Sequence, residues 1–300
     1  MNVAIEFIKA VLYGIVEGIT EWLPVSSTGH LILLDEFLSL NVAPELGADF
    51  AREYWSMFEV VIQLGAILAV VVMFFGKLNP FSRRKSSAEK KGTWVLWAKV
   101  CVASVPAAII GIVADKLIEK VSGKDIDGWL YNWQVVACAL IIYGVLFIVI
   151  ERAWSKRESR VCSVDDISFG NAALIGCFQA LAIVPGTSRS GSTILGSRLI
   201  GISRSAAAEF SFFMGIPAMA GASFIKAYGF FDFVSEAGVS VPIGAYLILL
   251  TAAAVAFAVS LVAIRFLMDF VKKHSFAPFG VYRIVLGALV IVYFAVKLIF

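Results

Sequence analysis

Glu17 and Glu21 stand four residues apart in a stretch, residues 3–23, that reads as a helix, so both carboxylates share one face. Ser26, Ser27 and His30 follow at once, and Ser188, Arg189, Ser190 and Thr193 form a second polar cluster far along the chain. The combined set suits a phosphate ester or anhydride. Arginine supplies a planar fork of donors for phosphate oxygens, and glycine-rich loops present backbone N–H groups to the same anion. Two carboxylates beside a phosphate repel it unless a hard divalent cation, Mg2+ or Ca2+, lies between, and Mg2+ is typically held by one or two carboxylates plus substrate phosphates. A serine near a histidine is the minimum for a nucleophile with a proton acceptor. The residue types leave Ser27, His30 and water as candidates for the attacking group. Of the two histidines, His274 adjoins a basic loop and reads as solvated.

The elements that must hold these groups are unusual. The helix of residues 3–23 is broken by Leu23-Pro24-Val25-Ser26-Ser27-Thr28-Gly29, and a short apolar piece follows to about residue 40. Residues 171–184 read as a helix too, broken by Pro185 to Ser192 and resumed to Ile200. Proline, glycine and serial hydroxyls disfavour continuing a helix, so each stretch predicts a helix–loop–helix hairpin. A plainer reading has Glu21 and Arg189 pair only to lock the hairpins together, with Ser27 as a helix N-cap. That leaves the second carboxylate, the histidine and the remaining hydroxyls unexplained.

The rest of the chain is built for a bilayer. Of its 300 residues 60% are apolar and 16% charged, and the mean hydropathy is +0.89; soluble domains run near half apolar and a quarter charged. Six blocks, approximately 58–76, 94–114, 132–150, 208–228, 241–264 and 278–299, have the length of about 20 apolar residues that a crossing demands. The first residues lack the basic stretch of a cleaved signal peptide. Cys101, Cys138, Cys162 and Cys177 have no paired spacing and read as small hydrophobes. Lys77, Arg83, Arg84, Lys85, Lys90 and Lys91 fill one loop, Arg152, Lys156, Arg157 and Arg160 a second, Lys272 and Lys273 a third. The alternating segments carry Asp35 to Glu53, Asp115 to Asp127, and Asp232 with Glu236. The positive-inside rule puts the basic loops in the cytoplasm and both termini outside. The net charge of +3 comes from these loops and gives no footprint for nucleic acid.

The hairpins also resemble each other. A shift of 162 residues matches Ala10 with Ala172, Gly14 with Gly176, Ser26 with Ser188, Gly29 with Gly191, Ile32 with Ile194 and Leu33 with Leu195, and sets Glu17 opposite Gln179. A shift of 150 matches Glu59 with Glu209 and Gly65 with Gly215. The expectation is an all-α polytopic membrane protein with six transmembrane helices plus two re-entrant hairpins. It forms one membrane domain over 1–300 made of two inverted-topology repeats, approximately 1–150 and 168–300. An odd number of crossings per half inverts the second half, so the hairpins enter from opposite faces and their tips meet near the midplane.

Glu17-Gly18-Ile19-Thr20-Glu21-Trp22-Leu23-Pro24-Val25-Ser26-Ser27-Thr28-Gly29-His30 closely resembles the first signature of the bacterial undecaprenyl-diphosphate phosphatases of the bacitracin-resistance type, and Pro185 to Thr193 the second. Phe58 to Gly65, Glu209 to Phe212 and Pro278 to Arg283 fit as well. The resemblance implies hydrolysis of undecaprenyl diphosphate to the monophosphate, recycling the lipid carrier of cell-wall synthesis and conferring bacitracin resistance. It implies a divalent cation at Glu17 and Glu21, and a catalytic set of Ser27, His30, Glu21 and Arg189. Ser26, Ser188, Arg189, Ser190 and Thr193 would bind phosphate. The expected setting is the bacterial plasma membrane with the site facing outward, a polyprenyl diphosphate and membrane lipid as partners, no nucleic acid, and a homodimer as the assembly. The charged segment Ala43 to Arg52 is the main departure from the family pattern. Two rivals are weighed. The lipid phosphatases with a Ser-Arg-x-x-x-His motif lack a match, because no histidine follows Arg189 at that spacing. A transporter or flippase shares the inverted architecture and is separated by its inability to release phosphate.

Overall fold

The polar breaks and the apolar blocks fall into place in a computed structural model that describes residues 3–122, 128, 130–154 and 157–299. Lys124 to Asp127 of the acidic segment and Lys156 of the second basic loop lie outside the described residues. The first hairpin is helix α1 (Val3–Thr20) and helix α2 (Ser27–Leu38). A one-turn 3-10 helix, Pro44–Leu46, leads into α3 (Gly47–Val61) and α4 (Gln63–Met73), then the short α5 (Phe75–Leu78). The long α6 (Ser87–Ser122) and α7 (Trp133–Trp154) complete the first half. The second hairpin pairs α8 (Phe169–Ala180) with α9 (Arg189–Leu199), followed by α10 (Arg204–Ala237), α11 (Ile243–Lys273) and α12 (Ala277–Ile299). Among the described residues there is no strand, only one isolated bridge between Val161 and Ile202.

Among the described residues, six stretches are long and apolar enough to cross a membrane: Pro44–Met73, Ser87–Val121, Trp133–Trp154, Arg204–Ala237, Ile243–Lys273 and Ala277–Leu298. Each contains most of an expected block, and all but the last are longer, because polar residues extend those helices beyond the apolar block. The largest shift is at the first crossing, which begins at Pro44 rather than near residue 58. Hydropathy misses its start because Asp49, Arg52 and Glu53 lie there. Phe50, Tyr54, Met57 and Phe58 recur on one helical face and are buried. The hairpin helices α2, α8 and α9 have 12, 12 and 11 residues, about 18 Å at 1.5 Å per residue against a hydrocarbon core of about 30 Å. Each of these three is by itself shorter than a crossing. Outward-facing Phe224, Leu250, Val262 and Leu289 are exposed, as lipid contact requires.

Contacts between the halves are reciprocal. In the first hairpin, Gly14 lies so close to α11 that a Cβ there would sit 2.5 Å from the Ala252 carbonyl oxygen. In the second, Gly176 lies against α6, and a Cβ would sit 2.1 Å from the Ala103 carbonyl oxygen. Each hairpin thus packs on the middle long helix of the other half. The last long helices, α7 and α12, meet each other through Gly144 and Gly280.

Candidate active site at the two hairpin tips

The two breaks share a backbone device. Ser26 and Ser188 hold φ of 76° and 73°, a region that costs a non-glycine residue about 1–3 kcal/mol and persists only where its surroundings fix it. Here they do. Each serine is the N-cap of its second helix: Ser26 Oγ accepts from Gly29 N–H at 3.3 Å and Ser188 Oγ from Gly191 N–H at 3.0 Å. The N-cap is therefore Ser26, not Ser27, and Ser27 is the first residue of the helix. The turns aim the first residues of α2 and α9 at one cavity, and first-turn N–H groups lack partners within their own helix.

That cavity, of about 100 Å3, is lined by Glu21, Ser26, Ser27, Thr28, Gln63, Ser188 and Arg189, together with Ala182, Val184, Pro185, Gly186 and Met219. Glu21 is its organising group. Ser27 Oγ donates to Glu21 Oε2 at 2.6 Å, and Arg189 Nη2 donates to Glu21 Oε1 at 3.0 Å. Arg189 Nη1 donates to the Ser211 carbonyl at 2.8 Å, and Gly215 leaves the guanidinium its space: a Cβ there would lie 2.9 Å from Nη2. The ion pair of the plainer reading is present, but a serine hydroxyl shares its carboxylate, so the pair is also a polar centre open to the cavity.

The remaining expected residues divide. Ser190 donates to the Glu21 carbonyl at 3.2 Å and is buried behind the cavity wall. Thr193 bonds back to the Arg189 carbonyl at 2.9 Å and pairs with Ser211 Oγ at 2.7 Å, so it steadies α9 rather than facing the cavity. Glu17 lies one turn behind Glu21, whose N–H donates to the Glu17 carbonyl at 3.0 Å. The Glu17 side chain is fully buried, and neither carboxylate oxygen has a hydrogen-bond partner among the described residues.

His30 is placed differently from the expectation that it would reach Ser27. Its Nδ1 lies 2.7 Å from the Ser26 carbonyl, and its Nε2 lies 2.7 Å from the Tyr282 hydroxyl. A carbonyl only accepts, so Nδ1 carries a proton, and in the neutral form of the ring Nε2 is left to accept from the Tyr282 hydroxyl. The capture of Nδ1 one turn back rotates the ring toward α12 and away from Glu21. Sequence spacing could not show this, since Tyr282 lies 252 positions away.

Arg283, the last residue of the Pro278 to Arg283 stretch, ties the two breaks together. It is fully buried and donates to the Pro24 carbonyl at 3.1 Å, to Gly186 at 2.7 Å and to Thr187 at 3.0 Å. The available signal was a lone arginine inside an apolar crossing, which marks a structural or functional site by default. Gln63 and Thr28 also line the cavity, and their residue types alone do not single them out. Gln63 reaches the cavity wall because the first crossing tightens at Ile62, between α3 and α4.

A family model described as bacitracin resistance protein BacA matches residues 10–289. An undecaprenyl-diphosphatase of Enterococcus faecalis (strain ATCC 700802 / V583) is 49% identical over 289 residues, covering 95% of this chain and 96% of that protein. An undecaprenyl-diphosphatase of Lactococcus lactis subsp. cremoris (strain SK11) is 50% identical over 299 residues, covering 97% and 98%. One of Limosilactobacillus fermentum is 50% identical over 291 residues, again covering 97% and 98%.

Proposed function

The chain belongs to the bacitracin resistance protein family, and from that membership together with the cavity at the hairpin tips we infer that it hydrolyses undecaprenyl diphosphate to undecaprenyl phosphate and inorganic phosphate. The reaction returns the lipid carrier to cell-wall synthesis and confers resistance to bacitracin. The observation that carries the reading is the single carboxylate of Glu21 bonded at once to a hydroxyl and a guanidinium. A serine aimed by a carboxylate beside an arginine fork is a nucleophile placed where a phosphate is held.

In the mechanism this geometry supports, the terminal phosphate of the diphosphate displaces part of Arg189's attention from Glu21 and takes the guanidinium fork. Free N–H groups at the starts of α2 and α9, with Ser26 and Ser188 beside them, receive the other oxygens. Ser27 Oγ attacks the terminal phosphorus and Glu21 accepts its proton. The bond from that phosphorus to the bridging oxygen breaks, and undecaprenyl phosphate leaves with the electron pair. Water then attacks the phosphoserine, the Ser27 oxygen regains a proton, and inorganic phosphate departs. His30 acts as a positioning residue: by holding the Ser26 carbonyl it fixes the turn that aims Ser27.

The donor set also fits a hard divalent cation. The Glu17 oxygens are buried without partners among the described residues, and Glu17 and Glu21 are oxygen donors one turn apart. Among the described residues no three His, Cys, Asp or Glu side chains gather to hold an ion, so these two carboxylates would share it with the substrate phosphates. When bound, such an ion supplies charge neutralisation for the diphosphate.

The reciprocal hairpin contacts and the matched Ser26 and Ser188 turns support two inverted repeats, approximately 1–150 and 168–300. On that arrangement the first hairpin enters from the outer face of the bacterial plasma membrane and the site opens outward. A homodimer is the assembly this reading carries forward. The functional test is phosphate release from undecaprenyl diphosphate by the purified protein in detergent. Release at catalytic turnover is expected; transport of the lipid without release would select the transporter reading.

A further inference from the structure

A second polar cavity lies away from the hairpin tips, at the other end of α9. It measures about 240 Å3 and is lined by Arg157, Arg198, Arg204, Lys272 and the serines Ser159, Ser203 and Ser205, among others. Nine residues separate Arg198 from Arg189 on the same helix, roughly 13 Å at 1.5 Å per residue. This cavity therefore belongs to the face that carries the basic loops and not to the catalytic site.

Its walls are built. Arg198 is buried; its Nε donates to Glu151 Oε1 at 3.2 Å, and its Nη1 to the Ile202 carbonyl at 2.7 Å and to Ser159 Oγ at 3.4 Å. Arg204 Nη2 lies 2.6 Å from Glu151 Oε2, so one buried carboxylate sets the spacing of two guanidinium groups. The loop of Arg160 and Val161 is fastened to the loop of Gly201 to Ser203 by Arg160 N–H to the Gly201 carbonyl and Ser203 N–H to the Val161 carbonyl, both at 2.8 Å. Ser203 caps α10, which starts at the cavity. Arg157 lies over the Trp154 ring at 4.7 Å, and tryptophan in a crossing of this kind marks headgroup depth.

The charges do not cancel. Among the described residues, four cations face two carboxylates, Glu151 and the Asp269 that pairs with Lys272 at 2.9 Å; Glu158 lines only the neighbouring cavity. Lysines and arginines that merely set topology need no more than a wet loop. An arginine buried in a hairpin helix on a carboxylate pedestal requires another explanation. Two charges in excess, three guanidinium groups, three hydroxyls and a helix start match a tetrahedral oxyanion with several acceptor oxygens. We propose that this cavity is a second phosphate-binding site, on the face opposite the reaction, which takes the phosphate group of an anionic lipid headgroup or free inorganic phosphate.

The test uses the full-length protein in an uncharged detergent and the double variant Arg157→Gln/Lys272→Gln, whose side chains are both exposed and outside the hairpin tips. Hydrolysis of a soluble short-chain diphosphate should be unchanged in this variant, which certifies its fold independently. Native mass spectrometry then counts bound phosphatidylglycerol against phosphatidylcholine, with and without inorganic phosphate. Wild-type preference for phosphatidylglycerol that drops at least tenfold in the variant supports the site with a lipid as its ligand. Binding of inorganic phosphate without lipid preference, again lost in the variant, supports it with a free anion as ligand. A wild type that prefers neither probe, or a variant that binds both as the wild type does, overturns it.

Discussion

Glu21 and Ser27 meet at 2.6 Å across the break of the first hairpin, hydroxyl to carboxylate. The contact exists because the helix stops after Thr20, turns back through the strained Ser26, and restarts with Ser27 over its own preceding turn. Glu21→Gln keeps the shape but removes the proton acceptor and the Arg189 counter-charge. Phosphate release should fall at least a hundredfold, the low end for losing an acid–base partner. A Ser27→Ala/Glu21→Gln double variant should be scarcely worse than either single, since groups acting as a unit are not additive. Steady-state rates of the three proteins, with their elution profiles as a check on folding, decide it.

Arg189→Lys retains a positive charge beside Glu21 but cannot span Glu21 and the Ser211 carbonyl at once, as the two guanidinium nitrogens do. Turnover should drop tenfold or more while the protein still inserts and folds. Near-normal turnover would mean that simple charge pairing suffices.

Much of this site was legible in the sequence. Pro24, Ser26, Pro185 and Ser188 announce the breaks through their backbone chemistry, and the 162-residue match of the serines anticipates their common φ. The partner of Ser27 was not legible, because a contact across a turn depends on how tightly the chain reverses. Nor was the start of the first crossing, since charged residues on the outer face of an amphipathic helix hide its buried face from a hydropathy count. Arg283 stood out only by type; the carbonyls it joins come from two segments 160 residues apart, which no local pattern encodes.

Arg283 should prove structural. Arg283→Met keeps the apolar stem but leaves three carbonyls without their donor, at about 1–3 kcal/mol for each buried group left unsatisfied. The variant should unfold at clearly lower temperature and lose activity together, as read by thermal unfolding in detergent. Unchanged stability would show that water or neighbouring groups satisfy the two breaks.

His30 can be tested as a positioning residue by rescue. His30→Asn keeps a side-chain N–H that can reach the Ser26 carbonyl, whereas His30→Ala cannot. The asparagine variant should recover at least tenfold over alanine in kcat. Equal loss in both would return a proton-transfer role to the imidazole.

Glu17→Gln should raise the concentration of Mg2+ or Ca2+ needed for half-maximal activity several-fold, with little loss at saturation. A titration curve that coincides with the wild type would remove Glu17 from the cation site.

The account turns on Ser27 Oγ as the attacking atom, and trapping the covalent intermediate tests it most directly. Undecaprenyl diphosphate labelled in its terminal phosphate is mixed with enzyme and quenched in acid within the first turnovers, and the Ser27 peptide is then analysed for label. The account predicts label on Ser27 that appears and decays at rates matching turnover, and a Ser27→Ala protein with neither label nor significant phosphate release. Full turnover with no labelled protein, alongside a Ser27→Ala variant that keeps a tenth or more of wild-type activity, would contradict it.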